Sequence, residues 1–419
     1  MTGQGCHAGA VSTPDRDQRT FDLIVFGATS FVGQIVVGHL VERDDRKLQW
    51  AMAGRNAAKL GDVAAATLAT VDRIVADAGD LDEMRALARR ARVIASTVGP
   101  YALHGSNLVK ACAEEGTDYV DLTGEPQWMR KMIDTHTIAA TVSGARIVHS
   151  CGFDSIPSDM GVWFTQQESI ERFGGPCTRI GMRLAGARGG ASGGTIASLL
   201  NVVAELSKDP DLREMMKNPY ALAPAHLRTG PTQPNVTLPQ RDDLSGQWVA
   251  PFVMAGINTK VVQRSHALLD RPWGENFLYD EAMLTGNGPL GAAKASGVAG
   301  AMGGFMAVSL LAPVRSMLSR FVLPKPGEGP SPAAQAKGYF DLRFFGVTES
   351  GRRITAKVTG DRDPGYGSTA KMIVTAALTL VEVDRRTTPG GFWTPSTSMA
   401  AALLEALRRD AGLTFEVIK

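Results

Sequence analysis

The sequence predicts an α/β fold: a Rossmann-type doubly wound parallel sheet with an inserted α+β second domain. Three observations lead to this expectation. Short apolar runs alternate with longer amphipathic segments from residue 21 to about residue 150, a glycine-containing turn follows the first run, and the alternation ends after residue 175. Strands that alternate with helices form a parallel sheet with helices on both faces.

The strands of the first domain are predicted from apolar runs without a period of two, a pattern typical of strands covered on both faces. These runs lie at 21–26, 48–53, 72–77, 92–97, 118–122 and 145–150. The segments between them predict helices at 32–43, 56–68, 80–91 and 105–115. We therefore assign 21–174 to a Rossmann domain, preceded by a flexible polar tail at 1–20.

The chain after residue 175 is expected to form the inserted domain and then to return to the first domain. Runs at 339–348 and 352–359 predict a β-hairpin. Helical patterns follow at 368–383 and 396–409. We therefore assign 175–365 to an α+β domain for substrate or partner contacts, and 366–419 to C-terminal helices that return to the Rossmann domain.

Charge and cysteine content narrow the class of function. Lys plus Arg number 44 and Asp plus Glu number 42, so the charge balance gives no argument for a nucleic-acid partner. The four cysteines have neither metal-site nor disulfide spacing, and we expect no metal site. Residues 1–20 lack the apolar core of a secretion signal, so a reduced, cytoplasmic setting is the default expectation.

A charge-free stretch, 295–314, lies between Lys294 and Arg315. Its length would suffice for a bilayer core, but it is rich in glycine and alanine and only modestly apolar. Two interpretations stay open. The stretch is either a buried helix that packs through small residues, or a peripheral contact with lipid at the inner face of the plasma membrane.

The strongest motif is FGATSFVG, 26–33, because it follows the first predicted strand and opens a helix. Gly27 permits a tight turn and Gly33 lets the helix pack closely on the sheet, so the helix N-terminus can hold a pyrophosphate. Ser30 occupies the position where many such motifs carry a third glycine. The residues predicted to bind a dinucleotide here are Gly27, Thr29, Ser30, Phe31 and Gly33.

The choice of dinucleotide is predicted from the end of the second strand. NAD-binding folds place Asp or Glu there for the ribose 2′-hydroxyl, whereas this chain has Arg55. A guanidinium suits the 2′-phosphate of NADP(H), although a solvated surface arginine is the alternative. Asp77 is placed to reach the adenine or to cap a helix, and Val98, Gly99 and Pro100 form the loop beside the nicotinamide.

Side chains after the fourth, fifth and sixth strands supply candidates for chemistry, because ligands bind at the carboxyl ends of parallel strands. The candidate proton donors are Tyr101, Asp121 and Cys151, and we expect Glu125 and Asp154 in the same cleft. Structural alternatives stay open: Asp154 can cap the following helix, and Cys151 can be a small buried apolar residue.

Five motifs together resemble the saccharopine dehydrogenase-like oxidoreductases, and in particular their trans-acting enoyl reductase subfamily of actinobacteria: FGATSFVG, AMAGR, STVGPY, DYVDLTGE and CGFDSIPSD. The similarity extends over most of the chain from about residue 21 onward, with Ser30 departing from the glycine usual in the family. It implies NADP-linked reduction of a double bond on a polyketide-type lipid chain built by a partner synthase.

Three functions are compatible with these observations. The first is an NADPH-dependent enoyl reductase of lipid biosynthesis, acting in trans on a thioester held by the carrier protein of a synthase. The second is a saccharopine dehydrogenase-type amino-acid oxidoreductase, which needs cationic groups for substrate carboxylates. The third is a non-catalytic, membrane-associated protein that keeps a dinucleotide fold. The resemblance favours the first.

Overall fold

The computed structural model describes residues 16–43, 45, 47–189, 193–310 and 329–418. The strands are β1 Phe21–Phe26, β2 Trp50–Gly54, β3 Asp72–Val75, β4 Ala91–Ser96, β5 Asp118–Asp121, β6 Arg146–Val148, β7 Cys177–Arg188, β8 Gln240–Arg241, β9 Trp248–Pro251, β10 Leu278–Gly286, β11 Tyr339–Thr348, β12 Arg353–Gly360, β13 Gly391–Trp393 and β14 Leu413–Val417.

The helices within the same residues are α1 Phe31–Arg43, α2 Ala57–Thr67, α3 Leu81–Ala88, α4 Tyr101–His104, α5 Ser106–Glu115, α6 Pro126–Ser143, α7 Ile156–Phe173, α8 Gly193–Leu206, α9 Pro210–Lys217, α10 Ala255–Leu268, α11 Gly288–Ser309, α12 Pro332–Ala336, α13 Thr369–Glu382 and α14 Pro395–Asp410. Short 3₁₀ turns lie at Arg16–Gln18 and Ala225–Leu227, and a π-helical turn lies at Pro364–Ser368.

The first sheet is parallel throughout the described residues, with strand order β13-β6-β5-β4-β1-β2-β3. Its central strand β1 is covered on both faces: Leu23 and Val25 join one apolar core, and Ile24 and Phe26 join the other. The strand order reverses between β1 and β4, and such a switch point opens a crevice at the carboxyl ends of the strands. The predicted Rossmann-type sheet is confirmed.

The second sheet has the order β14-β12-β11-β7-β10-β9-β8 over the described chain, and it mixes parallel and antiparallel pairs. Strands β7 and β10 are parallel, whereas β11 and β12 form the predicted antiparallel hairpin, with Phe344 opposite Ala356. Burial alternates along β11 and β12, because one face of this sheet packs against α7. The predicted α+β second domain is therefore confirmed.

The C-terminal part of the chain contributes to both sheets. Helix α13 packs against α1, β4 and β5, and α14 packs against α7 and α13. Strand β13 then extends the first sheet beside β6, and β14 closes the edge of the second sheet beside β12. A return by helices alone was expected; the two strands were missed because short edge strands leave little pattern in a sequence.

Part of the predicted tail belongs to the folded structure. Arg16 forms an ion pair with the buried Asp118, and the Arg19 guanidinium donates to the Ala91 carbonyl oxygen over 2.7 Å. Residues 16–20 therefore continue into β1 as an anchored segment, while 1–15 lie outside the described residues.

The charge-free stretch lies largely in α11. The start of this helix packs against β9 and β10, and Gly291 and Ala295 are buried there. Met306, further along the helix, and Leu310, just after it, are exposed, so small-residue packing holds for the start of the helix but not for its exposed end. None of the helices among the described residues is long and apolar enough to cross a membrane. Residues 311–314 of the predicted stretch lie outside the described residues.

Candidate active site

A cleft of about 380 Å³ opens at the carboxyl end of the first sheet, beside the switch point between β1 and β4. One wall is formed by residues that follow β1, β4, β5 and β6. The opposite wall is formed by α8, the segment 252–257 and the turn Pro364–Ser368. Most of the described lining is apolar; Asp154 is its one acidic residue, and none of these residues is Lys, Arg or His.

The turn after β1 brings backbone segments very close together. Gly27 has a φ of +88°, and a Cβ there would lie 2.5 Å from Val98 Cγ2. A Cβ on Gly33 would lie 2.2 Å from the Gly27 carbonyl oxygen. Helix α1 can therefore approach β1 this closely only with glycine at both positions, which are those named from the sequence.

Ser30 caps helix α1. Its hydroxyl accepts the Gly33 N–H over 2.9 Å and lies 2.9 Å from Thr97 Oγ1. The N–H groups of Phe31 and Val32 have no acceptor among the described residues. The first turn of α1 thus keeps free donors at its positive end, which fits a dinucleotide pyrophosphate.

The other predicted turn residues lie around the same helix start. The Thr29 carbonyl oxygen accepts from Gln34 Nε2 over 3.3 Å, and its side chain is half-buried. The Phe31 ring packs edge-on against Tyr366 with centroids 4.8 Å apart. The α1 turn is therefore held from both the sheet side and the Pro364–Ser368 side.

Arg55 and Asp77 lie at the carboxyl ends of neighbouring strands, after β2 and β3. Arg55 is exposed and makes no hydrogen bond or ion pair within the described residues, so its guanidinium is available to a 2′-phosphate. Asp77 is also exposed, but its carboxylate accepts the Gly79 N–H over 2.8 Å and thereby shapes the turn before α3. Contact of either residue with cofactor stays a prediction.

The loop after β4 runs along the cleft. Gly99 is exposed and lines it, Val98 and Pro100 are half-buried, and the Gly99–Pro100 peptide is cis. This backbone is placed beside the switch point, where the loop was expected to meet the nicotinamide.

Tyr101 lines the cleft, but its hydroxyl is engaged in the protein. It donates to the Ser96 carbonyl oxygen over 2.9 Å and accepts the Leu122 N–H over 3.1 Å. Burial, together with the negative charge of Asp121, raises the pKa of the phenol well above its ordinary value. The hydroxyl therefore ties β4 to the end of β5, and proton donation from it would break that link.

Asp121 lies beneath the cleft and not on its described lining. The fully buried carboxylate accepts the N–H groups of Thr123 and Ser150 over 3.1 and 3.0 Å. Its second oxygen lies 2.7 Å from His149 Nδ1. The side chain thus holds together the loops that follow β5 and β6.

Cys151 is also fully buried and does not line the described cleft. Its Sγ lies 3.5 Å from the Val148 carbonyl oxygen, and burial raises the pKa of the thiol well above its ordinary value. The geometry corresponds to the structural alternative for this residue, a small buried side chain.

Glu125 links the two walls. Its carboxylate accepts the N–H groups of Tyr101 and Ala102 over 2.7 and 3.0 Å, at the start of α4. The same carboxylate accepts the hydroxyl of Ser198 on α8 over 2.8 Å. Burial raises the pKa of Glu125 despite these donors. The residue therefore positions the loop after β4 relative to α8.

Comparison with known proteins identifies the family. Residues 23–148 match the model of the saccharopine dehydrogenase NADP-binding domain. The trans-acting enoyl reductase of Mycobacterium leprae is 38% identical over 409 residues, covering 93% of this chain and 96% of that protein. This chain belongs to the trans-acting enoyl reductase family. The family's protein from Mycobacterium bovis BCG is 35% identical over 404 residues with the same coverage.

The fold of this trans-acting enoyl reductase family member is shared with a saccharopine dehydrogenase. The apo L-Glu-forming enzyme of Saccharomyces cerevisiae superposes with a TM-score of 0.54 at 15% identity, covering 95% of this chain and all of that chain. Together with the domain match, the predicted cofactor NADP(H) is confirmed. No group of three His, Cys, Asp or Glu in the described chain could hold a metal ion.

Asp154 was expected in the cleft from the sequence, but it was not among the candidate proton donors. Its carboxyl lines the cleft, makes no side-chain hydrogen bond with another described residue, and does not cap α7, whose N-cap is Ser155. Desolvation, with the charge of Asp121 nearby, raises its pKa to about 7. A signal was present in CGFDSIPSD, where the acid follows β6, but the cap interpretation competed with it.

Proposed function

We propose that this protein is an NADPH-dependent enoyl reductase that reduces the carbon–carbon double bond of an acyl thioester. The main support for this proposal is the cleft. It adjoins the predicted dinucleotide-binding turn, its walls are mostly apolar, and Asp154 is the one acidic residue of the described lining. An apolar cleft suits an acyl chain, since burial of each methylene contributes about 0.8 kcal/mol.

The chemistry requires a hydride at the β-carbon and a proton at the α-carbon. NADPH, when bound, supplies the hydride. Asp154 supplies the proton to the α-carbon, and the resulting carboxylate regains a proton from solvent. Because burial raises the pKa of Asp154 to about 7, a substantial fraction of the carboxyl is protonated and able to donate at neutral pH and below. Tyr101, Asp121 and Cys151 then act as positioning residues around this acid.

Two other functions have less support. An amino-acid oxidoreductase must hold substrate carboxylates. The described lining of the cleft contains no Lys, Arg or His, and an unpaired carboxylate there would cost several kcal/mol to bury. A non-catalytic, lipid-associated role does not account for Asp154, whose carboxyl lines the cleft beside the nucleotide turn and has no hydrogen-bond partner among the other described residues.

The proposal extends to the partner and the place of action. The thioester is carried by the carrier protein of a partner synthase in lipid biosynthesis. Exposed apolar side chains, Leu290 and Met306 on α11 and Leu310 just after it, support a peripheral contact at the inner face of the plasma membrane. Vesicle sedimentation with Met306→Glu tests this contact apart from turnover.

Turnover tests the central proposal. The purified protein is mixed with NADPH and either a trans-2-enoyl thioester or an amino-acid adduct, and products are identified by mass spectrometry. We expect a saturated thioester, with NADH a poor substitute. Arg55→Ala should weaken NADPH binding about 10- to 100-fold and leave NADH binding unchanged, because it removes a charged hydrogen bond. Oxidation of an amino-acid adduct without thioester reduction would overturn the proposal.

A further inference from the structure

A second cavity, of about 570 Å³, adjoins the cleft and shares Met216 and Gly256 with it. Its walls come from the proline-rich segment 216–235, the first turns of α10, and β10. At the shared wall, a Cβ on Gly256 would meet no atom within 4 Å, so the space beside it is open. The second cavity is more polar than the cleft, since lysine, asparagine, threonine and carboxylate side chains line it.

Lys260 is the unusual residue of this second cavity. It is 5% exposed, and its ammonium donates one hydrogen bond, over 3.0 Å, to the Gly256 carbonyl oxygen one turn earlier in α10. It makes no ion pair within the described residues. Burial alone lowers its pKa to about 8. An ammonium has three donors, so this buried cation lacks both a counter-charge and a full set of acceptors.

The acidic groups of the second cavity have other partners. Asp280 forms an ion pair with Arg183 over 2.8 Å. Glu281 accepts the Tyr279 hydroxyl over 2.6 Å and Asn258 Nδ2 over 2.9 Å. Burial raises the pKa of Glu281 to about 7, so its carboxyl is partly neutral at physiological pH. Neither group forms an ion pair with Lys260 in the described structure, although the second oxygen of Asp280 is buried without a hydrogen-bond partner there.

The cationic groups at the rim are also engaged. Arg228 pairs with Asp134 over 2.5 Å, and Lys217 pairs with Glu214 over 3.1 Å on the exposed surface of α9. Lys260 is therefore the cation in this second cavity that an incoming anion can neutralise without displacing a partner.

We propose that the second cavity binds the phosphate of the substrate's phosphopantetheine arm through Lys260, while the acyl chain lies in the cleft. The inference rests on the proposed function, because a thioester substrate supplies the arm. A phosphate ester fits the geometry: it provides oxygen acceptors for the unused donors of the lysine, and the open wall at Gly256 lets the arm continue toward the apolar chain.

Two thioesters that differ by one phosphate test the proposal. The same enoyl chain is presented on pantetheine and on 4′-phosphopantetheine, and KM and kcat are measured for each. We expect the phosphorylated arm to lower KM about 10- to 100-fold with little change in kcat. Lys260→Gln should abolish this preference while leaving KM for the pantetheine thioester unchanged. Lys294→Gln, an exposed lysine on α11, is the matched control and should keep the preference.

Equal KM values for the two thioesters in the unmodified protein would overturn the proposal. So would a Lys260→Gln variant that loses the same factor with both substrates, because that result indicates general damage to the site. Lys260→Met checks folding: removing a buried, unpaired ammonium should leave the apo protein at least as resistant to thermal unfolding as before.

Direct binding separates this inference from the reductase proposal. Calorimetry with 4′-phosphopantetheine, pantetheine and inorganic phosphate needs no turnover. If thioesters are not reduced but 4′-phosphopantetheine binds in a Lys260-dependent way, the reductase proposal fails and the site stands. If inorganic phosphate binds as tightly as 4′-phosphopantetheine, the assignment to the arm is wrong and the second cavity is a free-phosphate site.

Discussion

Replacing Asp154 by asparagine tests the proton donor with little change in side-chain size. The carboxyl lines the cleft and makes no side-chain hydrogen bond with another described residue, so the variant breaks no hydrogen bond within the described structure. We expect kcat for enoyl-thioester reduction to fall about 10²- to 10⁴-fold, the range for loss of a general acid. The affinity for NADPH should not change.

The pH dependence follows from the raised pKa. With a pKa of about 7, the protonated fraction falls from about 90% at pH 6 to about 10% at pH 8. The kcat of the unmodified protein should therefore decline as the pH rises through about 7. Asp154→Asn should have a low, flat profile over the same range. Stopped-flow measurement of NADPH oxidation with saturating thioester gives both profiles.

Stability gives a second readout with a definite sign. The folded-state pKa of Asp154 lies above the ordinary value of 3.8, so its full contribution to stability is present below about pH 3.8 and is lost progressively as the pH rises from there through about 7. The difference of about three pKa units corresponds to roughly 4 kcal/mol. Because the side chain is partly exposed in the cleft, we expect about 2 kcal/mol.

Denaturant unfolding at pH 5 and pH 8 measures the larger part of this difference, because the loss between pH 3.8 and pH 5 has already occurred at the lower pH. Asp154→Asn should be more stable than the unmodified protein at pH 8, and its advantage should shrink toward pH 5. Asp62→Asn, which changes an exposed carboxylate on α2, is the control and should alter neither profile. A variant that keeps its kcat would refute the donor role, and equal stability at pH 8 would refute burial as the cause of the raised pKa.

Two further predictions concern the walls of the site. Gly33→Ala should lower the free energy of unfolding by about 1–3 kcal/mol and impair NADPH binding, because its Cβ would lie 2.2 Å from the Gly27 carbonyl oxygen. Thermal unfolding measures the change in stability. Gly38→Ala is the control and should be neutral or stabilising in that assay, because the nearest atom to its Cβ would be 3.9 Å away. Ser198→Ala removes the hydrogen bond from α8 to Glu125. Steady-state kinetics should then show KM for the thioester rising about fivefold, with the affinity for NADPH unchanged. A loss in kcat alone would contradict the role of this hydrogen bond in holding the two walls of the cleft together.

The parallel sheet and its nucleotide turn could be predicted because their determinants are local. Residues 21–26 form β1 as predicted, and α1 begins one residue before its predicted start. Gly27 and Gly33 could be named because the turn itself demands them. The short strand β13 could not be predicted, because its three residues become a strand only by pairing with β6.

The candidate acids were harder to rank because their environments come from distant parts of the chain. Asp121 is satisfied by groups after β5 and β6, and Tyr101 by the backbone of Ser96 and Leu122. Asp154 differs from them in that no other described residue makes a hydrogen bond with its side chain. The sequence places all three near one sheet edge, but only the fold shows which carboxyl faces the cleft.

The cleft is lined mainly by apolar residues and the second cavity by more polar ones, and this difference is relevant to how one fold can bind different substrates. Sharing a fold with a saccharopine dehydrogenase does not imply sharing its substrate, because the residues that line the site determine which substrate binds. Here the described cleft wall lacks cations, while Lys260 in the adjoining cavity forms no ion pair with any described residue. An amino-acid substrate needs positive charge next to the reacting carbons, whereas a carrier-bound thioester carries its phosphate at the far end of the arm. If the proposed substrate is correct, we therefore expect the position of this cation to distinguish the two substrate classes better than the nucleotide turn, which both classes require.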